Sequence, residues 1–517
     1  MYRQGLGDSF LIRLSKPDGT PFHILIDCGV LIGSPDGPAR VKRVVENIRQ
    51  QTGGVIDLLV ATHEHTDHLS GFNSERDAWA AMEIRKTWMA WTENLDRQEI
   101  DALKSSQRLR LRAALAGATR LEDATVSMAD AMQRSKLLGV ADSIRNVLQF
   151  SLDEDDDPNE LLLAGADARP SGPARALRFL KDKAGSSIEY CHPKDAPREL
   201  SGVNGIRVFT LGPPDGPLLR HSDPAPGEAY ELFGELANND LNFAVATLLH
   251  ETEARSDVLS DRENPDDPES QIFGASPASA QPFDVGFRHP ADQVAMSRGQ
   301  YGFFHDHYGF EDGSPDAWRR IDHDWLNVSE SMALALTGHI NNTSLALAFE
   351  LGEGGPVLLF PGDAQSGSWL SWGDLKWTVP TAHGTRTVTG PDLLQRTVFY
   401  KVGHHGSHNA TMRDKGLELM THPDLVAFIP VHQKTAHKQV PPWRMPWPPL
   451  WSRLKERAAY RVMLSDADEP IASQLGRADL PSDAAFIGKW ERFKAMLSWD
   501  KSPNVLWVDY ELPIVKS

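Results

Sequence analysis

An α/β fold is what this sequence predicts, and three observations carry the prediction. An apolar run, a helical stretch and a second apolar run follow one another within the first sixty residues, the alternation from which layered α/β structures are built. The second run, Val55-Ile56-Asp57-Leu58-Leu59-Val60, leads directly into His63-Glu64-His65-Thr66-Asp67-His68. Sites in such folds gather at the carboxyl ends of strands. Far downstream, two further apolar runs end in the same manner, one in Gly362-Asp363 and one in Gly403-His404-His405.

The elements read in order as follows. Residues 8–14 and 22–28 form two short strands about the turn Lys16-Pro17-Asp18-Gly19. Arg40 to Gln50 is helical, with Val41, Val44, Val45 and Ile48 at helical spacing. Val55 to Ala61 is the strand that delivers the histidines. Ser74 to about Leu148 has a helical pattern, with Trp88 and Trp91 in a core stripe or over the site. Asp153-Glu154-Asp155-Asp156-Asp157-Pro158 reads as a solvated acidic turn, because calcium-loop spacing is absent. Residues 172–185 are helical, and Ile206 to Leu211 is a strand. Residues 252–300 are rich in Pro, Asp, Ser and Gly and read as a long surface insertion. Ser344 to Phe349 and Val357 to Phe360 form a hairpin about Gly352-Glu353-Gly354-Gly355. Val398 to Val402 and Leu425 to Pro430 are further strands.

Bulk properties narrow the function. With 517 residues, the chain suffices for a large α/β domain carrying insertions. A formal net charge of −18 argues against long-range attraction to a polyanion. Bound cations could still dominate the field of a local cleft. Two cysteines, Cys28 and Cys191, make no disulfide framework, and Cys28 reads as a buried thiol. No signal peptide and no apolar run of membrane-spanning length is apparent, so the expected compartment is the cytoplasm and no membrane partner is expected.

The histidine cluster is a metal-ligand set. Imidazole nitrogens and carboxylate oxygens bind divalent ions such as zinc, and a carboxylate between two ions can bridge them. His63 and His65 alternate on an extended loop and can face one way. Asp67 and His68 are suited to a second ion. Asp363 is the natural bridging carboxylate, and either His404 or His405 completes the second site.

These residues resemble the metallo-beta-lactamase fold superfamily. Gly7-Asp8-Ser9-Phe10-Leu11-Ile12 and Leu25-Ile26-Asp27-Cys28-Gly29 fit its opening strands. Asn341-Asn342-Thr343-Ser344-Leu345, Phe360-Pro361-Gly362-Asp363-Ala364 and Lys401-Val402-Gly403-His404-His405-Gly406-Ser407 look most like the soluble metallo-hydrolase domain associated with competence DNA-uptake proteins. The resemblance implies a four-layer αβ/βα sandwich with a large insertion and two divalent ions, usually zinc and sometimes manganese. It implies that His63, His65, Asp363 and a further histidine hold one ion, and that Asp67, His68, Asp363 and His404 hold the other. The family's additional histidine lies ahead of the bridging aspartate. Here Asn341-Asn342-Thr343-Ser344 occupies that zone, and His339 is the nearby substitute. The core is expected to comprise residues 1–75 and 331–517, with 165–218 contributing. Residues 76–164 would be a helical insertion and 219–330 a surface or lid insertion.

The expected activity is hydrolysis by a metal-bound hydroxide oriented by Asp67, with His405 or His408 holding a non-bridging oxygen. The leading substrate is a phosphoester, or a phosphodiester of a nucleotide or nucleic acid. One alternative is a small-molecule lactone, thioester or amide. Another is a metal-binding interaction protein without catalysis. His305-Asp306-His307 and Trp318-Arg319-Arg320-Ile321-Asp322 are secondary candidates for ligand and anion contacts, with structural roles preferred. His432 is a candidate proton donor. Pro441-Pro442-Trp443-Arg444-Met445-Pro446-Trp447-Pro448-Pro449 reads as a stiff wrapping segment.

Overall fold

The computed structural model describes residues 1–126, 131–157, 161, 170–222, 224–225, 227–229, 298–308, 328–439, 442–476 and 480–512. Two mixed sheets dominate it. The first has the order β1-β2-β4-β6-β7, from Phe10–Ser15, Pro21–Ile26, Leu58–Ala61, Thr87–Ala90 and Ile188–Cys191. The second has seven strands in the order β16-β15-β14-β11-β10-β9-β8. In chain order these are β8 (Arg198–Glu199), β9 (Ile206–Gly212), β10 (Ala346–Leu351), β11 (Val357–Phe360), β14 (Thr397–Lys401), β15 (Val426–Ile429) and β16 (Val462–Leu464).

Apolar alternation decides which way each strand faces, because successive side chains point to opposite faces. Ile24, Ile26, Leu58 and Val60 of the first sheet share one buried cluster with Leu347, Phe349, Leu358, Phe360, Val426 and Phe428 of the second. The two sheets therefore pack against each other. Leu25, Leu59 and Ala61 point the other way. They meet Val41, Val44 and Ile48 of α1 (Gly37–Thr52), Leu69 and Phe72 of α2 (Thr66–Ser74), and Leu177 and Leu180 of the helix Gly172–Ala184. Val357, Leu359, Ala427 and Ile429 line the second sheet's outer face with Trp369, Trp372, Leu393 and Leu450 from three short helices. Strands buried on both faces explain the near-continuous apolar runs of the parallel segments.

Two long helices, α4 (Gln98–Val126) and α5 (Ala131–Leu148), pack with the helix Val328–Asn341 around their own cluster, which includes Leu115, Leu121, Ile144, Leu148, Leu336 and Ile340. Residues 328–341 thus join the helical segment before the chain enters β10.

Several sequence expectations shift. The strand expected over 55–61 breaks at Asp57: Val55–Ile56 (β3) pairs with Glu83–Ile84 (β5), and only Leu58–Ala61 enters the main sheet. Trp88 lies on β6, in the core between the sheets, and not on a helical stripe. The core therefore continues past residue 75 through β6, and the long helices begin only at Gln98. A strand only four residues long, TWMA, is masked by the helical composition on either side of it. Asp156, expected in a solvated turn, has a buried side chain that accepts from Gly172 N at 2.7 Å and pairs with Arg175, so it anchors the start of the helix Gly172–Ala184. Residues 252–297 and Trp318 to Asp322 lie outside the described residues. His305, Asp306 and His307 end a helix, Arg298–His307, so the alternate-residue spacing expected of an extended ligand pair does not apply; the side chains of His305 and Asp306 are outside the described set. Among the described residues no helix is long and apolar enough to cross a membrane.

Phe360 sits where the sheets meet, 3 % exposed, with ring centroids of Phe10, Phe349 and Phe399 at 5.6, 5.9 and 5.5 Å. Truncation to Ala is expected to cost roughly 3–5 kcal/mol of stability, which chemical denaturation followed by circular dichroism will measure; a loss below about 1 kcal/mol would mean the sheets do not pack as described.

Candidate metal centre

Three strand ends and the N-terminal loop build the site. Beyond β4, the Thr62 backbone N–H and hydroxyl donate to Asp27 Oδ1 and Oδ2 at 2.9 and 2.7 Å, while Thr62 O accepts from Leu345 N at 2.9 Å. One residue thus ties the first sheet to the chain entering β10 of the second. His65 caps α2, which places Asp67 and His68 in its first turn. Asp8 N donates to Asp67 O at 2.9 Å. A Cβ on Gly7 or Gly29 would come within 2.6 Å of Asp67 backbone atoms, so both close approaches demand glycine. Gly362, with φ of +59°, turns the chain from β11 to Asp363, and His405 adopts φ of +53° after β14.

The side chains converge. His68 Nε2 lies 3.3 Å from Asp67 Oδ2 and 3.2 Å from Asp363 Oδ2. His405 Nε2 lies 2.8 Å from Asp67 Oδ2, and His63 Nε2 lies 3.0 Å from His65 Nδ1. Three donor sets each fall within 4.8 Å: His63, His68 and Asp363; Asp67, Asp363 and His405; Asp8, Asp27 and His68. All of these groups are buried. His65 Nε2, His68 Nε2, Asp67 Oδ1, Asp363 Oδ2 and Asp8 Oδ1 have no hydrogen-bond partner. Buried polar atoms are ordinarily paired. Unpaired nitrogen and oxygen donors on residues of these overlapping sets have the chemistry of a site for zinc or manganese, so the residues present fit the metal ions that the resemblance implies.

Charge explains the proton positions. Burial opposes the His68 imidazolium, but Asp363, Asp67, Asp8 and Asp27 outweigh it and raise its pKa well above the ordinary value. Burial likewise opposes protonated His405, and its hydrogen bond with Asp67 overcomes it. For Asp67 and Asp363 burial favours the neutral acid. His68 and His405 beside Asp67, and Lys401 and His68 beside Asp363, hold both carboxyls well below the usual range. Burial raises Asp8 to about 6 against the pull of Lys401. Burial, and then the neighbouring His68, hold His63 well below the ordinary imidazole value; His65 is pushed down to about 3, chiefly by burial. Neutral imidazoles are ready ligands, whereas His68 and His405 must release a proton to bind an ion.

Each expected site residue has a definite place. His63, His65, Asp67, His68 and Asp363 come together. At the third strand end it is His405, not His404, that enters the cluster. His404 Nδ1 is instead 2.7 Å from Ser407 Oγ and 3.1 Å from Asn409 Oδ1, and its backbone N–H donates to Asp363 Oδ1 at 2.7 Å. The tight turn with positive φ at both residues swings the second imidazole inward. His339 is not beside the cluster's donor atoms: its Nδ1 is 2.9 Å from Arg110 Nη1. His408 is exposed against the Trp447 ring at 6.2 Å, which removes it from the reacting centre. His432 Nδ1 accepts from Thr435 and caps a short helix. Trp443 stacks on Phe150 at 5.3 Å, and Trp447 N donates to Gly406 O at 2.7 Å, so the described part of the Pro/Trp tract wraps the His404–Gly406 turn.

Sequence reasoning missed the supporting residues. Asp27 Oδ2 is 2.7 Å from His68 Nδ1, the carboxylate–imidazole pairing that fixes a ligand's tautomer. Lys401 Nζ donates to Asp8, to Asp363 Oδ1 at 2.9 Å and to Gly362 O at 2.7 Å. Lys104 of α4 joins Glu64 and Glu93 at 2.6 Å each, tying the ligand loop to the helical segment. Phe150, 5.6 Å from His65 and stacked on His405, covers the cluster. Asp8 and Asp27 were in view, within Gly-Asp-Ser and Ile-Asp-Cys, and a carboxylate at a strand end was the available signal. Nothing local marks Lys104 or Phe150.

No family model matches this chain, and searches of curated proteins and of solved structures returned no match.

Asp27→Ala is expected to weaken zinc binding about 10- to 100-fold, read by competition with a chromophoric chelator; unchanged affinity in a folded variant would remove Asp27 from the centre. Because His68 and His405 carry raised pKa values, zinc affinity should rise from pH 6 to pH 8 with proton release. Calorimetry in buffers of different ionisation enthalpy will count those protons, and a flat affinity would contradict the assignment.

Proposed function

We propose that this chain is a metal-dependent hydrolase with the αβ/βα metallo-beta-lactamase architecture, acting on a phosphoester. One observation carries the reading: Asp67, His68 and Asp363, buried and each with an unpaired side-chain atom, converge where separate strands end. The order of layers, helices outside each of two packed sheets, supports the four-layer sandwich. The competing idea of an interaction protein on a decayed site is disfavoured, since no structural purpose explains leaving these groups unpaired in the interior.

Asp67, His68, Asp363 and His405 would hold one divalent ion. His63 and His65 with Asp363 would hold a second. Only three protein groups serve that second ion, because His339 is engaged by Arg110. Ions bound there would supply Lewis-acid activation of water and of the scissile group. Asp67 Oδ1, buried and without a hydrogen-bond partner, would orient the attacking water, and Pro430 O, 2.6 Å from His405 Nδ1, leaves His405 Nε2 directed at the ligand set. Lys401 occupies Asp363 Oδ1 and so directs Oδ2 toward the ligand set. Phe150 and Trp443 exclude bulk water above the imidazoles.

Bis-p-nitrophenyl phosphate should be hydrolysed with zinc or manganese and not after chelation. Asp67→Asn and Asp363→Asn should each lower kcat by roughly 100-fold or more. Full turnover by chelator-treated protein would end the proposal, and preference for a lactone or a thioester under the same conditions would replace the phosphoester assignment.

A further inference from the structure

Arg110 on α4 and Arg220 at the end of the turn Gly216–Arg220 meet at His339. Arg110 Nη1 is 2.9 Å from His339 Nδ1, and the same imidazole hydrogen-bonds the Arg220 backbone. Burial and the two guanidiniums push His339 down to about 4, so its ring is neutral and accepts from Arg110. Burial, and then Arg220, also lower Arg110. Among the described residues neither arginine has a carboxylate partner, although the protein carries 71 acidic residues against 53 basic ones. Two neighbouring guanidiniums, one of them half-buried, repel each other and together attract an oxyanion.

The pair is held rigidly and near the metal centre. Asn342 Nδ2 donates to Leu218 O at 2.7 Å and Leu219 O at 3.1 Å, and Ser366 Oγ and Gly367 N donate to His221 O at 3.0 and 2.7 Å. These bonds latch the Arg220 turn onto Asn342 and onto Ser366 and Gly367, just after Asp363. Gln365 connects the two places. Its Nε2 is 3.4 Å from His404 Nδ1, and its unpaired, buried Oε1 is 3.0 Å from where a Cβ on Gly338 would lie, one residue before His339. Asn341, fully buried at the end of the same helix, also has both amide atoms unpaired.

We propose that Arg110 and Arg220, positioned by His339, form a subsite for a phosphate group of the substrate, beside the metal centre and distinct from it. The inference rests on the phosphoester-hydrolase reading and sharpens it: the substrate carries an oxyanion besides the group under attack. Guanidinium forks match phosphate oxygens in pairs, and His339 fixes one fork before the anion arrives.

Equilibrium dialysis with radiolabelled inorganic phosphate tests this on the full chain. Saturable binding is expected in the wild type and in Asp363→Asn, and at least roughly tenfold weaker binding in Arg110→Gln and in Arg220→Gln. Absence of saturable binding, wild-type binding in both arginine variants, or loss in Asp363→Asn alone would overturn the subsite. Should Arg110→Gln fail to fold, Arg220→Gln, at an exposed position, carries the comparison. Metal content of the same samples decides the hydrolase reading separately, because the arginine variants should retain wild-type metal.

Discussion

Buried negative charge is the constraint on which this structure turns. Asp8, Asp27, Asp67 and Asp363 all lie within the interior, each at most 2 % exposed. Carboxylates taken out of water are costly unless cations and hydrogen bonds meet them. Lys401 satisfies Asp8 and one oxygen of Asp363, and His68 stands among all four. Thr62 and the His68 ring complete Asp27. What remains unmatched is concentrated on Asp67 Oδ1, Asp363 Oδ2 and the imidazole nitrogens facing them. The interior thus solves most of its charge problem with protein groups and leaves a residue of donors at one point.

That arrangement requires two sheets. His63 to His68 leave the first, whereas Asp363 and His405 leave the second, and the apolar layer of Leu58, Val60, Leu358 and Phe360 brings the strand ends together. Thr62 O, bonded to Leu345 N, joins the two sheets where they approach the centre. The helical segment contributes in another way. Lys104 pairs with Glu64 between His63 and His65, Phe150 caps the imidazoles, and Arg110 reaches His339. An insertion that would pass as decoration on composition alone is built into the walls of the site.

The legible parts of the sequence were those with local causes. Short apolar runs in Leu25-Ile26, Leu58 to Ala61 and Val357 to Phe360 reveal strands because both of their faces are buried, each against a different apolar layer. Helical spacing in Val41, Val44, Val45 and Ile48 reveals α1 for the same reason. The convergence of His63, His68 and Asp67 on one site was legible because chemistry and spacing coincide in His63-Glu64-His65-Thr66-Asp67-His68. Illegible features depend on long-range geometry. The choice of His405 over His404 follows from a left-handed turn that no residue type announces. His339 has the composition of a ligand, but its ring is taken by an arginine 229 positions away in the chain. Strand β6 is hidden because its pairing with β4 and β7, rather than its own pattern, makes it a strand.

The same logic separates a cation-seeking site from an anion-seeking one in this protein. At the metal centre, excess carboxylate and imidazole donors call for positive charge, and Lys401 limits how much by claiming one oxygen of Asp363. A few residues away the balance inverts: Arg110 and Arg220 face a neutral imidazole and want negative charge. Opposite fields side by side in a partly buried space suit a ligand that is itself divided. An ester whose reacting oxygen is drawn to cations and whose second anionic group is held by arginines would be oriented before any bond changes, and orientation of that kind lowers the barrier without new chemistry. A neutral lactone or thioester would leave the guanidiniums uncompensated, which is the physical reason for favouring a phosphoester with a second charged group over the other hydrolytic substrates.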